Sequence, residues 1–171
     1  ALWDARRRRL LIGRDRLGIK PIYVHNDGKR LVFASEAKAI LALPGFSTGL
    51  DLAAVDSYLK LGYVPAPQCI FAGIEKLPPA TLLIVENGRL TRKRYWHVPG
   101  TVDTAPSEQD WIGAVRARME ESVRMQMVSD VPIGAFLSGG VDSSGVVAFM
   151  AAHSDIPIKT YSIGFEGGAA E

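Results

Sequence analysis

The spacing of apolar residues changes once along the chain, near residue 100. Before that point, short apolar runs alternate with turn residues, which predicts β-strands. The pairs Asp27-Gly28 and Asn87-Gly88 are typical of tight hairpin turns. The predicted strands are residues 10–13, 22–24, 30–34, 81–86 and 89–95, and we expect the first three to form an antiparallel meander.

Two short helices are predicted between these strands. Ser35 can cap a helix that ends near Leu43, and Asp51 can cap a second helix that ends near Gly62. The four prolines between Gly62 and Pro79 predict irregular structure in that stretch.

The stretch between the first two strands contains the adjacent charges of Arg14 and Asp15. Because they are neighbours at a predicted turn, we expect a fixed ion pair between them. Gly18 indicates a position with unusual backbone angles. We interpret all three residues as scaffolding rather than as catalytic groups.

Beyond residue 106 the apolar spacing lengthens to about four residues, which predicts a helix. Residues 107–110, Ser-Glu-Gln-Asp, form a capping box at its start. A strand at 133–137, a helix from about residue 143 to 153 and a strand at 156–165 follow, and this order predicts a parallel β-α-β unit. The apolar face of the first helix comprises Trp111, Val115, Met119, Val123 and Met127. We expect one unit over residues 1–98, a linker over 99–106 and a second unit over 107–171.

Composition places the chain among soluble globular proteins, because 47% of its 171 residues are hydrophobic and 22% are charged. The net charge of +2 predicts neither a nucleic-acid partner nor a membrane partner, and we interpret the arginines at residues 6–9 as a solvated hairpin tip. The single cysteine, Cys69, excludes an internal disulfide, and no apolar run is long enough to span a membrane. We therefore expect a cytoplasmic protein. Cys69 and His97 lack the neighbours of a catalytic or metal site, so structural roles are expected for both.

The most distinctive stretch is residues 138–144, Ser-Gly-Gly-Val-Asp-Ser-Ser, between a predicted strand and a predicted helix. Adjacent glycines allow close approach of a ligand, and serine hydroxyls can add donors to the open N–H groups of a helix start. The turn therefore indicates a phosphate site. No lysine follows the glycines, so it is not a Walker loop, and Asp142 is a candidate magnesium ligand. The alternative is an ordinary strand-to-helix turn in which Asp142 is only a helix cap.

This turn resembles the pyrophosphate loop of the ATP pyrophosphatases. Five further stretches resemble the glutamine-hydrolysing asparagine synthetases: residues 13–23 (GRDRLGIKPIY), 33–40 (FASEAKAI), 62–67 (GYVPAP), 70–79 (IFAGIEKLPP) and 129–137 (SDVPIGAFL). The resemblance extends from about Leu10 to Phe165. It implies an α+β, antiparallel-sheet glutaminase portion of the Ntn-hydrolase type, which is the C-terminal part of a type-2 glutamine amidotransferase domain. The start of an α/β, parallel-sheet ATP-pyrophosphatase domain would follow it.

The resemblance also implies a function and a set of site residues. ATP and Mg²⁺ would be required, aspartate would be adenylated, and ammonia released from glutamine would displace AMP. The resemblance leaves open whether the protein forms a homodimer. Leu137 and Ile163 would flank the adenine, although a plain core role is equally open for Ile163, and Asp142 would also bind the metal. The implied ATP-binding residues are Leu137, Ser138, Gly139, Gly140, Asp142, Ser143, Ser144 and Ile163.

By the same resemblance, the nucleophilic cysteine should precede Ala1, while a second pyrophosphate loop and the aspartate pocket should follow Glu171. We therefore expect no catalytic residue within this chain and interpret it as the middle of a longer enzyme. Two alternatives remain. One is a related enzyme with another acceptor, such as a β-lactam synthetase or an amidotransferase of polysaccharide or peptide pathways. The other is a non-catalytic relative that keeps the fold.

Overall fold

The computed structural model describes residues 1–101 and 104–164, and the chain divides into two compact units, Ala1–Gly100 and Thr101–Glu171. The first unit is built from two antiparallel sheets and two helices. One sheet has the strand order β1-β2-β6-β7, and the other has the order β4-β3-β5. The strands are β1 (Leu2–Asp4), β2 (Arg9–Gly13), β3 (Tyr23–Asn26), β4 (Leu31–Ala34), β5 (Glu75–Lys76), β6 (Thr81–Glu86) and β7 (Arg89–Arg94); the helices are α1 (Ala37–Leu41) and α2 (Leu52–Leu61).

The predicted meander of the first three strands is wrong, because β2 and β3 belong to different sheets. β2 pairs with β1 and β6, whereas β3 pairs with β4 and β5. Ile12, Val24, Leu77 and Leu83 are buried together in a core to which both sheets contribute. Burial of one apolar face from each sheet, which a local hairpin pattern does not encode, therefore separates the strands.

The connection between β2 and β3 is held by hydrogen bonds to the backbone rather than by the predicted ion pair of Arg14 and Asp15. The Arg14 guanidinium donates to the carbonyls of Lys20 (3.1 Å), Gly18 (2.7 Å) and Leu77 (2.5 Å). The Asp15 carboxylate accepts from the N–H groups of Lys20 (3.0 Å) and Ile19 (2.9 Å), which lowers the pKa of Asp15. A guanidinium offers five donors, so one side chain can satisfy several carbonyls of an irregular loop.

Gly18 has the unusual backbone angles that were predicted, with φ at +71°. A Cβ atom at Gly18 would lie 2.8 Å from Cγ of Pro79 and 3.0 Å from Cζ of Arg14. A larger residue would therefore meet both backbone strain and close contacts at this position.

The two hairpin predictions and one of the two helix caps are confirmed. β3 pairs with β4, and β6 pairs with β7 through a turn in which Asn87 and Gly88 have positive φ. The Asp51 carboxylate caps α2, which ends at Gly62 with φ at +76°. The Ser35 cap is wrong, because the N-cap residue of α1 is Glu36 and its side chain makes no capping hydrogen bond.

The proline-rich stretch between α2 and β6 is irregular, as expected, apart from β5, which pairs with β3. Cys69, within this stretch, is a free thiol and is buried with Ile40 and Ile74. The prediction of a structural thiol is confirmed. The arginines at residues 6–8 are exposed in the turn between β1 and β2, while Arg9 pairs with Glu86 at 3.0 Å.

The second unit contains the predicted parallel β-α-β arrangement, preceded by a long helix. Its elements are α3 (Glu108–Gln126), β8 (Gly134–Phe136), α4 (Val141–Ala152) and β9 (Lys159–Tyr161), and β8 pairs with β9 in parallel. The capping box of Ser107 and Asp110 is present. The predicted apolar face of α3 lines a groove together with residues of α4 and β8, but Trp111 and Val115 remain about half exposed. The predicted end of the last strand, Phe165, lies outside the described residues.

No helix in the described part of the chain is both long enough and apolar enough to cross a membrane.

The capping role of Asp51 gives a local test. Asp51→Ala removes the acceptor for the N–H groups of Ala53 and Ala54, so it should destabilise α2 by about 1 kcal/mol. The control Asp56→Ala removes only an exposed ion pair with Lys60 and should cost less than about 0.5 kcal/mol. Native-state hydrogen exchange over α2 measures both changes, and equal losses would contradict the cap.

The turn between β3 and β4 predicts a pH dependence. Hydrogen bonds from the N–H groups of Arg30 and Lys29 lower the pKa of Asp27 from 3.8 to about 2. Folding therefore favours the ionised form of Asp27. Its contribution to the stability of the protein is complete above pH 3.8 and is lost as the pH falls towards 2. The variant Asp27→Asn should therefore be less stable than the wild type near neutral pH. That difference should shrink across this window when denaturant midpoints are compared, and a difference independent of pH would refute the assignment.

Candidate functional site

The glycine-rich turn joins β8 to α4 at the carboxyl end of β8. The parallel strand β9 ends at the same edge of the sheet, where ligands of open α/β sheets bind. The N–H of Leu137 donates to the carbonyl of Tyr161 at 2.8 Å, and the Ser162 hydroxyl donates to the carbonyl of Leu137 at 2.5 Å. The entry to the turn is therefore attached to the exit of the neighbouring strand.

The glycine-rich turn leads directly into α4, and no side chain caps the first backbone N–H groups of this helix. Gly139 has φ at +84°, a conformation that L-residues rarely adopt, and Gly140 is the N-cap residue. Because glycine has no side chain, nothing at the N-cap accepts from the N–H groups of Val141, Asp142 and Ser143, which have no partner within the helix. These amides and the helix dipole favour an anion at this position.

The hydroxyls of Ser138 and Ser143 form a small network inside the turn. Ser143 Oγ accepts from the N–H of Ser138 at 3.3 Å, lies 3.1 Å from Ser138 Oγ, and donates to the carbonyl of Gly140 at 3.1 Å. The expectation that the Ser143 hydroxyl is a free donor to a ligand therefore needs modification, since its proton is already used on Gly140. Its backbone N–H remains in the open first turn. The N–H of Ser144, by contrast, makes the first helical bond, to the carbonyl of Gly140 at 3.1 Å.

Asp142 lies in the first turn of α4, and its side chain is exposed. It does not cap the helix, because the cap position is Gly140 and no side-chain cap bond is present. A negative charge in the first turn is favourable in itself, through the helix dipole. Its place beside open amides also suits Mg²⁺, which is commonly held by one or two carboxylates together with substrate phosphates. The described residues contain no cluster of three or more side chains that could hold a metal ion by themselves.

The two residues expected beside the adenine lie close to the exits of adjacent strands. Leu137 follows β8 and is half-buried, whereas Ile163 follows β9 and is 76% exposed. Ile163 is therefore not part of a core among the described residues, and the choice between an adenine contact and a core role in the intact protein stays open. Its exposed side chain is available to contact a flat apolar ring, but a contact with ATP stays a prediction for both residues.

Two features of this site were missed in the sequence. Ser162 attaches to Leu137, and a single serine after a strand carries no recognisable signal. Gly134 permits close packing of the two strands, because a Cβ atom there would lie 2.6 Å from Cε2 of Tyr161 and 3.1 Å from the carbonyl oxygen of Lys159. The glycine was visible in the sequence, but its partner on β9 was not.

Comparison with known families agrees with this division of the chain. Residues 1–96 match the profile of the glutamine amidotransferase domain, and residues 114–171 match that of asparagine synthase. The chain belongs to the family of glutamine amidotransferase domains. The resemblance to glutamine-hydrolysing asparagine synthetases is also confirmed, since the part that contains the turn matches the asparagine synthase family.

Curated relatives share this order of segments. The chain is 39% identical to asparagine synthetase (glutamine-hydrolyzing) 3 of Bacillus subtilis strain 168, over 97% of this chain and 28% of the relative. It is 36% identical to the putative asparagine synthetase (glutamine-hydrolyzing) 2 of Methanocaldococcus jannaschii, over 97% of this chain and 33% of the relative. A relative with another name, amidase chyE of Penicillium rubens, is 34% identical over 88% of the chain and 22% of that protein. The chain thus spans a third or less of the length of these relatives.

The backbone of Gly139 gives a test of the turn. A Cβ atom would have open space both at Gly139 and at Gly113 in α3, but only Gly139 has positive φ. Gly139→Ala should therefore destabilise the protein by about 1–2 kcal/mol. Gly113→Ala should stabilise it by up to about 1 kcal/mol, because alanine favours the helix. Thermal unfolding of the intact variants measures both, and shifts of the same sign would argue against the described turn.

Proposed function

We propose that the intact protein is a glutamine-dependent asparagine synthetase. It would adenylate the side chain of aspartate with ATP and then transfer ammonia, released from glutamine, to the activated carboxyl group. The observation that carries the proposal is the uncapped start of α4 beside Asp142, within the segment that matches the asparagine synthase family. The names of the relatives from Bacillus subtilis and Methanocaldococcus jannaschii support the same reaction.

We propose the following division of labour within the chain. Residues 1–98 are the C-terminal part of a type-2 glutamine amidotransferase domain of the Ntn-hydrolase type. Residues 99–106 are a linker, and residues 107–171 are the N-terminal part of an ATP-pyrophosphatase domain. The ammonia-releasing nucleophile lies elsewhere in the intact protein, because Cys69 is buried in the core of the first unit. The reaction suits a cytoplasmic enzyme.

In the proposed adenylation, the aspartate carboxylate attacks the α-phosphorus of ATP, and pyrophosphate leaves. The N–H groups of Val141, Asp142 and Ser143 point out of the first helical turn and would donate to the β and γ phosphates. Negative charge grows on these phosphates as the bond breaks. Fixed donors directed at growing charge stabilise the transition state without reorganisation.

The Asp142 carboxylate would hold Mg²⁺ together with the phosphate oxygens. When bound, the ion supplies positive charge that neutralises the leaving group. Ser138 and Ser143 would act mainly on the shape of the turn, because their hydroxyls are engaged with each other. Leu137 and Ile163 would contact the adenine from the two strand exits.

A second candidate function is amide formation on another acceptor. The similarity to amidase chyE of Penicillium rubens supports this second candidate, since that protein matches most of the chain but is not named an asparagine synthetase. Both candidates use the same phosphate site, so the difference lies in the carboxylic acid that is activated. A non-catalytic relative is a third alternative, and it would lack the activity altogether.

Exchange of labelled pyrophosphate into ATP tests the adenylation and its acceptor. The intact protein with magnesium, ATP and aspartate should catalyse this exchange, because formation of a bound adenylate is reversible. Omission of aspartate should abolish it, and glutamine should not be needed. Exchange with a different carboxylic acid but not with aspartate would replace the acceptor and keep the phosphate site, while no exchange with any acid would reject the function.

The role of Asp142 is tested by Asp142→Asn in the intact protein. The change keeps the size of the side chain and removes its charge, so exchange should fall about a hundredfold, as expected for loss of one electrostatic stabiliser. Glutamine hydrolysis should persist. The matched control, Asp155→Asn, changes an exposed carboxylate of the turn that precedes β9 and should leave exchange unaltered. Exchange at the wild-type rate in Asp142→Asn would show that Asp142 does not act on ATP and only interacts with the helix dipole.

A further inference from the structure

The peptide unit between Leu137 and Ser138 is held at both of its polar ends by serine hydroxyls. Its carbonyl, on Leu137, accepts from Ser162 Oγ at 2.5 Å. Its N–H, on Ser138, donates to Ser143 Oγ at 3.3 Å. One hydroxyl comes from the exit of β9 and the other from the first turn of α4. A peptide plane that is fixed at both ends cannot rotate without breaking two hydrogen bonds.

This peptide unit sets the direction of the whole turn. The peptide before it is also fixed, since the N–H of Leu137 donates to the carbonyl of Tyr161. The residue after Ser138 is Gly139, whose positive φ turns the chain so that α4 can begin after its N-cap residue, Gly140. Glycine tolerates many other backbone conformations, so it cannot by itself maintain this one. The orientation of the first amides of α4 therefore depends on what is fixed upstream of Gly139.

We propose that Ser162 is a positioning residue for the phosphate site. Its hydroxyl fixes the plane of the Leu137–Ser138 peptide and so holds the open amides of α4 in the orientation that receives the phosphates of ATP. This inference rests on the proposed function for its ligand, but the effect on the shape of the turn does not. Ser162 does not touch the ligand in this proposal.

Ser143 and Ser162 are not equivalent in this arrangement. Ser143 is part of the glycine-rich turn itself, because Ser143 Oγ also donates to the carbonyl of Gly140. A movement of the turn would therefore carry Ser143 with it. Ser162 is the outside attachment, since it follows β9 and is separated from Leu137 by 25 positions along the chain. Without it, the carbonyl of Leu137 loses its only hydrogen bond from a side chain among the described residues, and on that side the N–H of Leu137 alone still bonds the turn to the neighbouring strand.

The chain contains a matched control for this hydrogen bond. Ser154 Oγ donates to the carbonyl of Ile156 at 2.8 Å, in the connection between α4 and β9. It is the same pair of chemical groups in the same unit, away from the glycine-rich turn. The informative variants of the intact protein are therefore Ser162→Ala, Ser162→Thr, which keeps a hydroxyl, and Ser154→Ala.

The first measurement needs no nucleotide. Hydrogen exchange of a peptide that covers residues 137–144 should become about fivefold faster in Ser162→Ala, the factor expected for loss of one hydrogen bond. Ser162→Thr and Ser154→Ala should exchange at the wild-type rate over this peptide. Unchanged exchange in Ser162→Ala, or an equal increase in Ser154→Ala, would overturn the proposal.

The second measurement separates positioning from general destabilisation. In pyrophosphate exchange, Ser162→Ala should raise the KM for ATP about fivefold and leave the KM for aspartate unchanged, and Ser162→Thr should restore the wild-type value. Equal changes in both constants, or no change in either, would contradict a role at the phosphate site. A wild-type protein without exchange activity would reject the proposed function, and the hydrogen-exchange result would then decide alone whether Ser162 shapes the turn.

Discussion

The candidate site depends on the attachment of one strand exit to its parallel neighbour. Leu137 is bound to β9 through its N–H and, by way of Ser162, through its carbonyl. Because this residue opens the glycine-rich turn, the attachment determines where α4 begins and which way its first amides point. Parallel pairing of β8 and β9 brings the two exits together, and close packing of Tyr161 against Gly134 keeps the strands adjacent. The chemistry proposed for Asp142 rests on this arrangement of neutral groups.

The first unit has a different role and a different kind of stability. Its two sheets bury a shared apolar core, and Arg14 and Asp15 bind the backbone of the connection between them. In this unit the charged side chains near the turns are used to satisfy backbone groups, and Cys69 is part of the core. These residues therefore stabilise the fold of the unit that matches the glutamine amidotransferase domain.

Most local features whose residues lie close together along the chain were predictable from the sequence. The Asp51 cap, the capping box of Ser107 and Asp110 and the turn at Asn87 each involve residues within a few positions of one another. One local prediction, the Ser35 cap, was wrong because α1 has Glu36 as its N-cap residue. The other errors concern distant partners. β2 was assigned beside β3 although it pairs with β6, and Arg14 was paired with its neighbour although it reaches Leu77. In the candidate site, the glycines and Asp142 were singled out from their sequence pattern, whereas the partner of Ser162, Leu137, lies 25 positions away along the chain.

The proposed function requires that the start of α4 bind the phosphates of ATP with magnesium on Asp142. A crystal structure of the intact protein with magnesium and a non-hydrolysable ATP analogue tests it most directly. We expect phosphate oxygens within hydrogen-bond distance of the N–H groups of Val141, Asp142 and Ser143, and a magnesium ion shared between those oxygens and the Asp142 carboxylate. Phosphates bound elsewhere, with these amides facing solvent and Asp142 without a metal, would contradict it.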